Sequence, residues 1–278
     1  MLEIHDEDTI YIDEKISNED IKIISNYKKI IFGEKFNQSI GHIITNIIEE
    51  ITFIDNCRFN KKLKSLPIGL KSLTLDNQFN QYIDFLPETI TFLQFGEKFN
   101  KPIDRLPSSL ETLVLGDFFN KPIDNLPKDL RYLVLGKLFN QPVNYLPQGL
   151  KQIVFGCDFD KPVDNLPKTV NEIIFGSRFN HPVDNLPIGL EFLCFGYLFN
   201  KTIDFLPTRL KKVEFDYHFN QPVNNLQDGL KEIVFGTSFN QSIDCLPDSV
   251  EVIKFGRYFN QDVKKLPKSL VKIEGYND

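Results

Sequence analysis

The stretch Phe119-Asn120-Lys121-Pro122-Ile123-Asp124-Asn125-Leu126-Pro127-Lys128-Asp129-Leu130-Arg131-Tyr132-Leu133-Val134-Leu135-Gly136 contains nearly everything that this chain repeats. Lys137 and Leu138 complete a unit of twenty residues, and Phe139-Asn140 begins it again. The pair returns with its phenylalanine at 59, 79, 99, 119, 139, 179, 199, 219, 239 and 259, and reads Phe159-Asp160 once. An earlier copy, Phe36-Asn37, stands three residues out of step. A fixed period in this range means stacked coils, each burying its apolar side only against its neighbours.

Each slot of the unit has a physical reading. Positions thirteen to seventeen, Arg131-Tyr132-Leu133-Val134-Leu135, hold β-formers with an apolar residue at every second place. That pattern is one short strand per coil. Positions fifteen and seventeen then point into the coil, and fourteen and sixteen point out. The glycine at eighteen, Gly136, ends the strand and is read as a turn residue with positive φ. Its substitutes Asp76 and Asp216 are a residue type that tolerates that region. Position one stacks a phenylalanine in every coil, and the asparagine after it is expected to form a ladder. The prolines at positions four and nine forbid a long helix, so the return path is expected to carry single helical turns.

The sequence therefore predicts a mainly β solenoid of about eleven 20-residue coils, with one short parallel strand per coil and short helical turns on the return path. Residues 1–35 are read as an N-terminal cap and 36–278 as the solenoid. Within the cap, Thr9–Ile12 suits an edge strand, and Ser17-Asn18-Glu19-Asp20 suits the capped start of a short helix. Residues 36–58 carry three extra positions, and Ile43-Ile44-Thr45-Asn46 replaces the Leu-Pro pair, which predicts a bulged coil.

The charge balance excludes some functions. The net charge is −6, with both signs interleaved. A nucleic-acid or anionic-membrane surface would need a basic face. The acidic start has no apolar h-region, and no apolar run approaches the ~20 residues of a membrane span. The four cysteines, Cys57, Cys157, Cys194 and Cys245, lie on distant coils. At ~4.8 Å per coil even Cys157 and Cys194 are roughly 10 Å apart, beyond the Cα separation of about 7 Å that a disulfide spans. Free thiols point to a reducing compartment, and the expected location is the cytoplasm, of a host cell if the chain is viral.

Phe139-Asn140-Gln141-Pro142-Val143 and Phe219-Asn220-Gln221-Pro222-Val223, each followed by the leucine, strand and glycine slots, resemble FNIP repeats. The resemblance covers about residues 36 to 275. It implies a leucine-rich-repeat-like solenoid of the kind found in social amoebae and in giant viruses that infect amoebae. It also implies a recognition role, because several members of that family join their repeats to an F-box-like segment of ubiquitin-ligase adaptors. The residues before these repeats show no Leu-Pro start of such a segment.

No catalytic constellation emerges, and no cofactor or metal is expected. His5, His42, His181 and His218 occupy unrelated slots, whereas a metal site needs converging ligands. Position six forms a column including Asp84, Asp104, Asp124 and Asp164, read here as Asx-turns that hold a bend. The outward strand slots are more informative. Val114, Val134, Val154, Ile174 and Cys194 form an apolar stripe, flanked by Phe92, Tyr132 and Phe192, while Tyr197 and Tyr217 stand on the loop rim. Such patches mark interaction sites, and aromatics are favoured anchors. These ten residues are the expected partner-binding set of a non-enzymatic protein–protein interaction scaffold. The alternatives are a substrate-recognition adaptor for a ubiquitin ligase and a self-assembling structural protein. The last coil carries no evident cap, and its C-terminal edge is a candidate homodimer contact.

Overall fold

A computed structural model gives the structure over residues 2–41 and 46–275. Most of the bulge expected at Ile43-Ile44-Thr45-Asn46 lies outside the described residues. The chain forms two compact units, Met1–Gly136 and Lys137–Asp278.

The first unit starts with β1 (Leu2–Ile4), β2 (Thr9–Ile12) and the helix α1 (Asn18–Ile24). Then come β3 (Lys29–Phe32), β4 (Glu50–Phe53), β5 (Ser72–Thr74), β6 (Phe92–Gln94), β7 (Thr112–Val114) and β8 (Tyr132–Val134). From β2 onward each strand pairs in parallel with the next. β1 pairs antiparallel with β2, so Thr9–Ile12 is an inner strand and not the edge expected from sequence. The correction lies in Leu2-Glu3-Ile4, a run too short to announce itself. α1 begins as expected. The Ser17 hydroxyl oxygen accepts the Asp20 N–H, and the Asp20 carboxylate accepts the Ser17 N–H at 2.8 Å, which satisfies two of the helix's free donors.

The second unit contains β9 (Gln152–Val154), β10 (Glu172–Ile174), β11 (Phe192–Cys194), β12 (Lys212–Glu214), β13 (Glu232–Val234), β14 (Val252–Phe255) and β15 (Lys272–Gly275). Each pairs in parallel with the next at a register of twenty residues, as in Ile173 with Leu193. The fold is a mainly β parallel solenoid of about thirteen turns. The two turns beyond the expected eleven are those of β3 and β4, supplied by the off-register residues before Phe59. The helical turns of the return path are single hydrogen-bonded turns: Leu130 N–H donates to Pro127 O at 3.2 Å, and the pattern recurs at Leu190 and Pro187. Among the described residues α1 is the one helix.

The strand alternation sets the core. From β5 to β14 position fifteen, as in Leu133, Ile173 and Leu193, is fully buried, and position seventeen nearly so. Position one stacks its rings along each unit. Successive centroids are 6.1 Å apart from Phe59 to Phe79 and from Phe99 to Phe119, and 6.0–6.3 Å apart from Phe139 to Phe259. Those gaps exceed the strand spacing of about 4.8 Å, so the rings are offset along the stack, the geometry their quadrupoles favour. A second column, from position seventeen, leans on the first: Phe195 lies 3.7 Å from Phe199 and Phe215 3.7 Å from Phe219.

The asparagine ladder forms through the oxygen. In the first unit Asn80 N–H donates to Asn60 Oδ1 at 3.0 Å, and Asn100 and Asn120 continue the series. In the second, Asn180 N–H donates to Asp160 Oδ1 at 3.2 Å, and Asn200 N–H to Asn180 Oδ1 at 3.0 Å. Each side chain thus accepts from the backbone of the following coil. An aspartate serves equally, which explains Asp160. The aspartates at position six work likewise. Asp164 Oδ1 accepts from Asn185 Nδ2 at 3.0 Å and Asp204 Oδ1 from Asn225 Nδ2 at 2.9 Å. These carboxylates tie coil to coil, and not to their own turn as the sequence suggested.

The strand-ending glycine also needs correction. Among the described residues, positive φ occurs only at Ser65 and Gly229. Gly176 is needed for closeness: a Cβ there would lie 2.8 Å from the Cα of Cys157 and closer still to the Gly156 carbonyl. Asp76 occupies this slot in the first unit and is fully buried. Its Oδ2 accepts from Gln78 N–H at 3.1 Å, and its Oδ1 has no partner. Burial pushes its carboxyl up to about 7, with Asp55 adding to the rise. The folded state therefore holds the proton through a range in which the unfolded chain has released it. Stability should fall as pH rises from about 4 to about 7 and level off above, by about 4 kcal/mol in all. Urea unfolding at pH 5 and pH 8 checks this, and Asp76→Asn should flatten the dependence.

Candidate functional site

The outward slots of the second unit do not carry one uniform surface. On β9, β10 and β11, position sixteen supplies Val154, Ile174 and Cys194, each half-buried beside its neighbour. From β12 onward the same face mixes charges with Val234 and Val252. Lys212 Nζ lies 2.8 Å from Glu214 and 3.2 Å from Glu232, and Lys254 Nζ lies 3.5 Å from Glu232 and 3.4 Å from Glu274. Lys272 also pairs with Glu274. This ladder satisfies its own charges, and its contribution to stability is small because such pairs remain in water. Phe192 stands at the border, with Lys212 Nζ 5.8 Å from its ring centroid.

At the C-terminal ends of β11 to β14 the surface opens into a cavity of about 370 Å³. Its lining includes Cys194, Glu214, Asp216, Val234, Thr237 and Gly256. Asp216 stands in the slot that glycine fills in Gly196 and Gly236. Unlike Asp76 it is exposed, and its Oδ1 accepts from Tyr217 N–H at 2.7 Å. Burial pushes the Cys194 thiol up to about 12, and the Glu214 carboxylate beside it adds to the effect. Cys194 is therefore an apolar wall and not a nucleophile at neutral pH. The Lys212 ammonium is held charged above its ordinary range, chiefly by its hydrogen bond to Glu214.

The loop after Asp216 carries an aromatic cluster. Tyr197 and Tyr217 stack at 5.0 Å, and His218 sits edge-on to both at 4.8 and 4.9 Å. Phe192, Cys194, Tyr197 and Tyr217 thus fall on β11 and the loops that follow β11 and β12, and Val154 and Ile174 continue their face. In the first unit, Phe92, Val114 and Val134 are half-buried on the outward face and Tyr132 is exposed. All ten expected residues occupy outward or rim positions.

Sequence reasoning missed several features. Glu214, Asp216, His218 and Thr237 belong to the cavity and its rim, and the one available signal was aspartate in a glycine slot. Phe85, Tyr145 and Phe205, at position seven, are at least 70% exposed. They interrupt a slot that holds asparagine at Asn125, Asn165, Asn185 and Asn225. Beside Phe85 in the first unit lies a second cavity, of about 330 Å³, lined also by Tyr82, Asp84, Asp104 and Arg105. The four cysteines are free, with Cys57 buried and its thiol pushed up to about 11 by that burial. No group of metal-ligating side chains converges among the described residues, and no helix there is long and apolar enough to cross a membrane.

Comparison with solved structures agrees with this geometry. The chain is similar to CroV588 of the giant virus CroV, described as a novel circular LRR protein. Sequence identity is 27% and the TM-score 0.67, over 99% of this chain and 61% of that one. It is also similar in fold to YopM from Yersinia enterocolitica WA-314, at 16% identity and a TM-score of 0.50, over 90% of this chain and 60% of that one. The chain thus spans about three-fifths of the length of each. No curated protein matches the sequence significantly. The FNIP repeat model matches residues 59–98, 99–138, 119–158, 139–178, 159–198, 179–218 and 239–274. These matches cover most of the coils described above, and the chain belongs to the FNIP repeat family.

Proposed function

We propose that the chain is a non-catalytic protein–protein interaction scaffold, and that its second unit holds a protein partner on the outer face of β9–β11 and the adjoining aromatic rim. The observation that carries the reading is the change along one sheet face. Val154, Ile174 and Cys194 form an unbroken apolar row at position sixteen beside the cavity and the Tyr197–Tyr217 stack, whereas on the following strands Glu214 and Lys254 alternate with Val234 and paired charges enter the face. An apolar centre with aromatic anchors and a charged border is the anatomy of a binding surface. Phe92, Val114, Tyr132 and Val134 give the first unit a surface of the same chemistry. Free thiols, two of them exposed, suit a reducing compartment such as the cytoplasm.

A photo-crosslinker at Ile174, introduced in the native cell, is expected to capture one protein. Val154→Glu with Ile174→Glu should leave the melting temperature unchanged and reduce recovery of that protein at least tenfold, because both side chains lie outside the core. Undiminished recovery would refute this assignment of the face.

A further inference from the structure

The return path of the first unit gathers three departures from the repeat in one place. Position four is proline at Pro102, Pro122, Pro162 and Pro222, but Tyr82 stands there in the coil of Phe79. Position seven is asparagine at Asn125, Asn165, Asn185 and Asn225, but it is Phe85 in that coil and Arg105 in the next. All three side chains line the cavity of about 330 Å³, with the position-six carboxylates Asp84 and Asp104 beside them. The two rings lie outside the core: Phe85 is 79% exposed and Tyr82 56%. Arg105 also changes the hydrogen bonding between coils. Asp164 and Asp204 each accept from the asparagine of the following coil, at 3.0 and 2.9 Å. Asp84 has arginine where that asparagine would stand. Among the described residues, neither the Asp84 nor the Arg105 side chain makes a hydrogen bond or an ion pair. Asp104 keeps a long contact with Asn125 Nδ2, at 3.5 Å.

We propose that this cavity binds a neutral sugar ring of an oligosaccharide. Its volume is at the small end of the range for ligand pockets, which suits one or two rings of a longer chain. The faces of Phe85 and Tyr82 are flat, apolar and electron-rich. The C–H face of a pyranose is also flat, and its hydrogens carry slight positive charge, so the two stack. The rim of a pyranose carries hydroxyls, each both donor and acceptor. Asp84 and Asp104 can only accept from them and Arg105 can only donate to them, and hydrogen bonds to charged groups are the stronger kind. The same set of groups disfavours other occupants. Two carboxylates repel a phosphate or sulfate, and the guanidinium repels a lone cation. A wholly apolar segment would cover three charged side chains and pair none of them. No residue of this site belongs to the proposed partner-binding face, so either proposal can fail alone.

Nuclear magnetic resonance titration of the 278-residue chain with cellohexaose, N-acetylchitohexaose and maltohexaose tests this, with a heparin hexasaccharide as the anionic probe. At least one neutral probe is expected to bind with a dissociation constant on the order of 1 mM or below. Its ring protons should shift upfield where they lie over the aromatic faces. Phe85→Asn and Arg105→Asn each restore the residue that other coils carry in that slot, so the melting temperature should not fall. Phe85→Asn should weaken binding roughly tenfold by removing the platform. Arg105→Asn should weaken it about fivefold, by removing a donor and engaging Asp84 as Asn185 engages Asp164. Absence of binding by all three neutral probes, tighter binding of the heparin hexasaccharide, or an affinity unchanged by Phe85→Asn would each overturn the proposal.

Discussion

Replacing Phe179 by alanine is expected to lower the free energy of unfolding by about 3–5 kcal/mol. Phe179 is fully buried. Its ring lies 6.2 Å from Phe159 and 6.1 Å from Phe199 along the column, and 3.8 Å from Phe175 within its own coil. Removing it takes away the transfer free energy of a large apolar side chain. It also leaves a hole between rings fixed by the strands, which cannot collapse into it. A solenoid is held by contacts between neighbouring coils, so a gap at one coil weakens its joints on both sides. Phe205→Ala, at a ring that is 70% exposed, should change stability by less than about 0.5 kcal/mol. Urea denaturation of the two variants measures the contrast. Similar losses from both would mean that position one is not the core column.

Gly176→Ala is expected to destabilise by about 1–3 kcal/mol, although it adds one methyl group. The added carbon would meet the backbone of Gly156 and the Cα of Cys157, the latter at 2.8 Å. Backbone cannot rotate away as a side-chain tip can, so the coils must part locally and the rings between them lose contact. Gly275→Ala places the same carbon in open space and should be nearly neutral. Thermal unfolding of both variants separates a need for closeness from a general preference for glycine at strand ends. If Gly176→Ala proved as mild as Gly275→Ala, the coils would not be stacked as tightly as described.

These two cases show what one coil of sequence can and cannot reveal. The period, the ring at position one and the alternation of Tyr132-Leu133-Val134 are properties of a single repeat, and were legible from it. What the sequence hides is the distance between coils. Gly176 was read as a turn residue because φ belongs to one residue, whereas its constraint comes from Gly156, twenty positions earlier. The oxygen of Asn180 binds the N–H of Asn200 and not a group in its own turn. Asp76 and Asp216 fill one slot of the repeat, yet the first is sealed in and the second lines an open cavity. The outward face proposed to bind a partner was legible to the extent that alternation is. The charge pairs Lys212–Glu232, Lys254–Glu232 and Lys254–Glu274 beside it were not, because they join neighbouring strands.

The central claim is that each coil turns one set of strand residues into a continuous apolar core and the other set to the outside. Cysteine substitution at each of Glu172, Ile173, Ile174 and Phe175, in a chain otherwise free of cysteine, followed by native-state labelling with a thiol reagent, tests it residue by residue. Glu172→Cys and Ile174→Cys should label readily, and Ile173→Cys and Phe175→Cys only on unfolding, since the native residues there are 0% and 3% exposed. Equal labelling at all four sites, or the reverse alternation, would contradict the account.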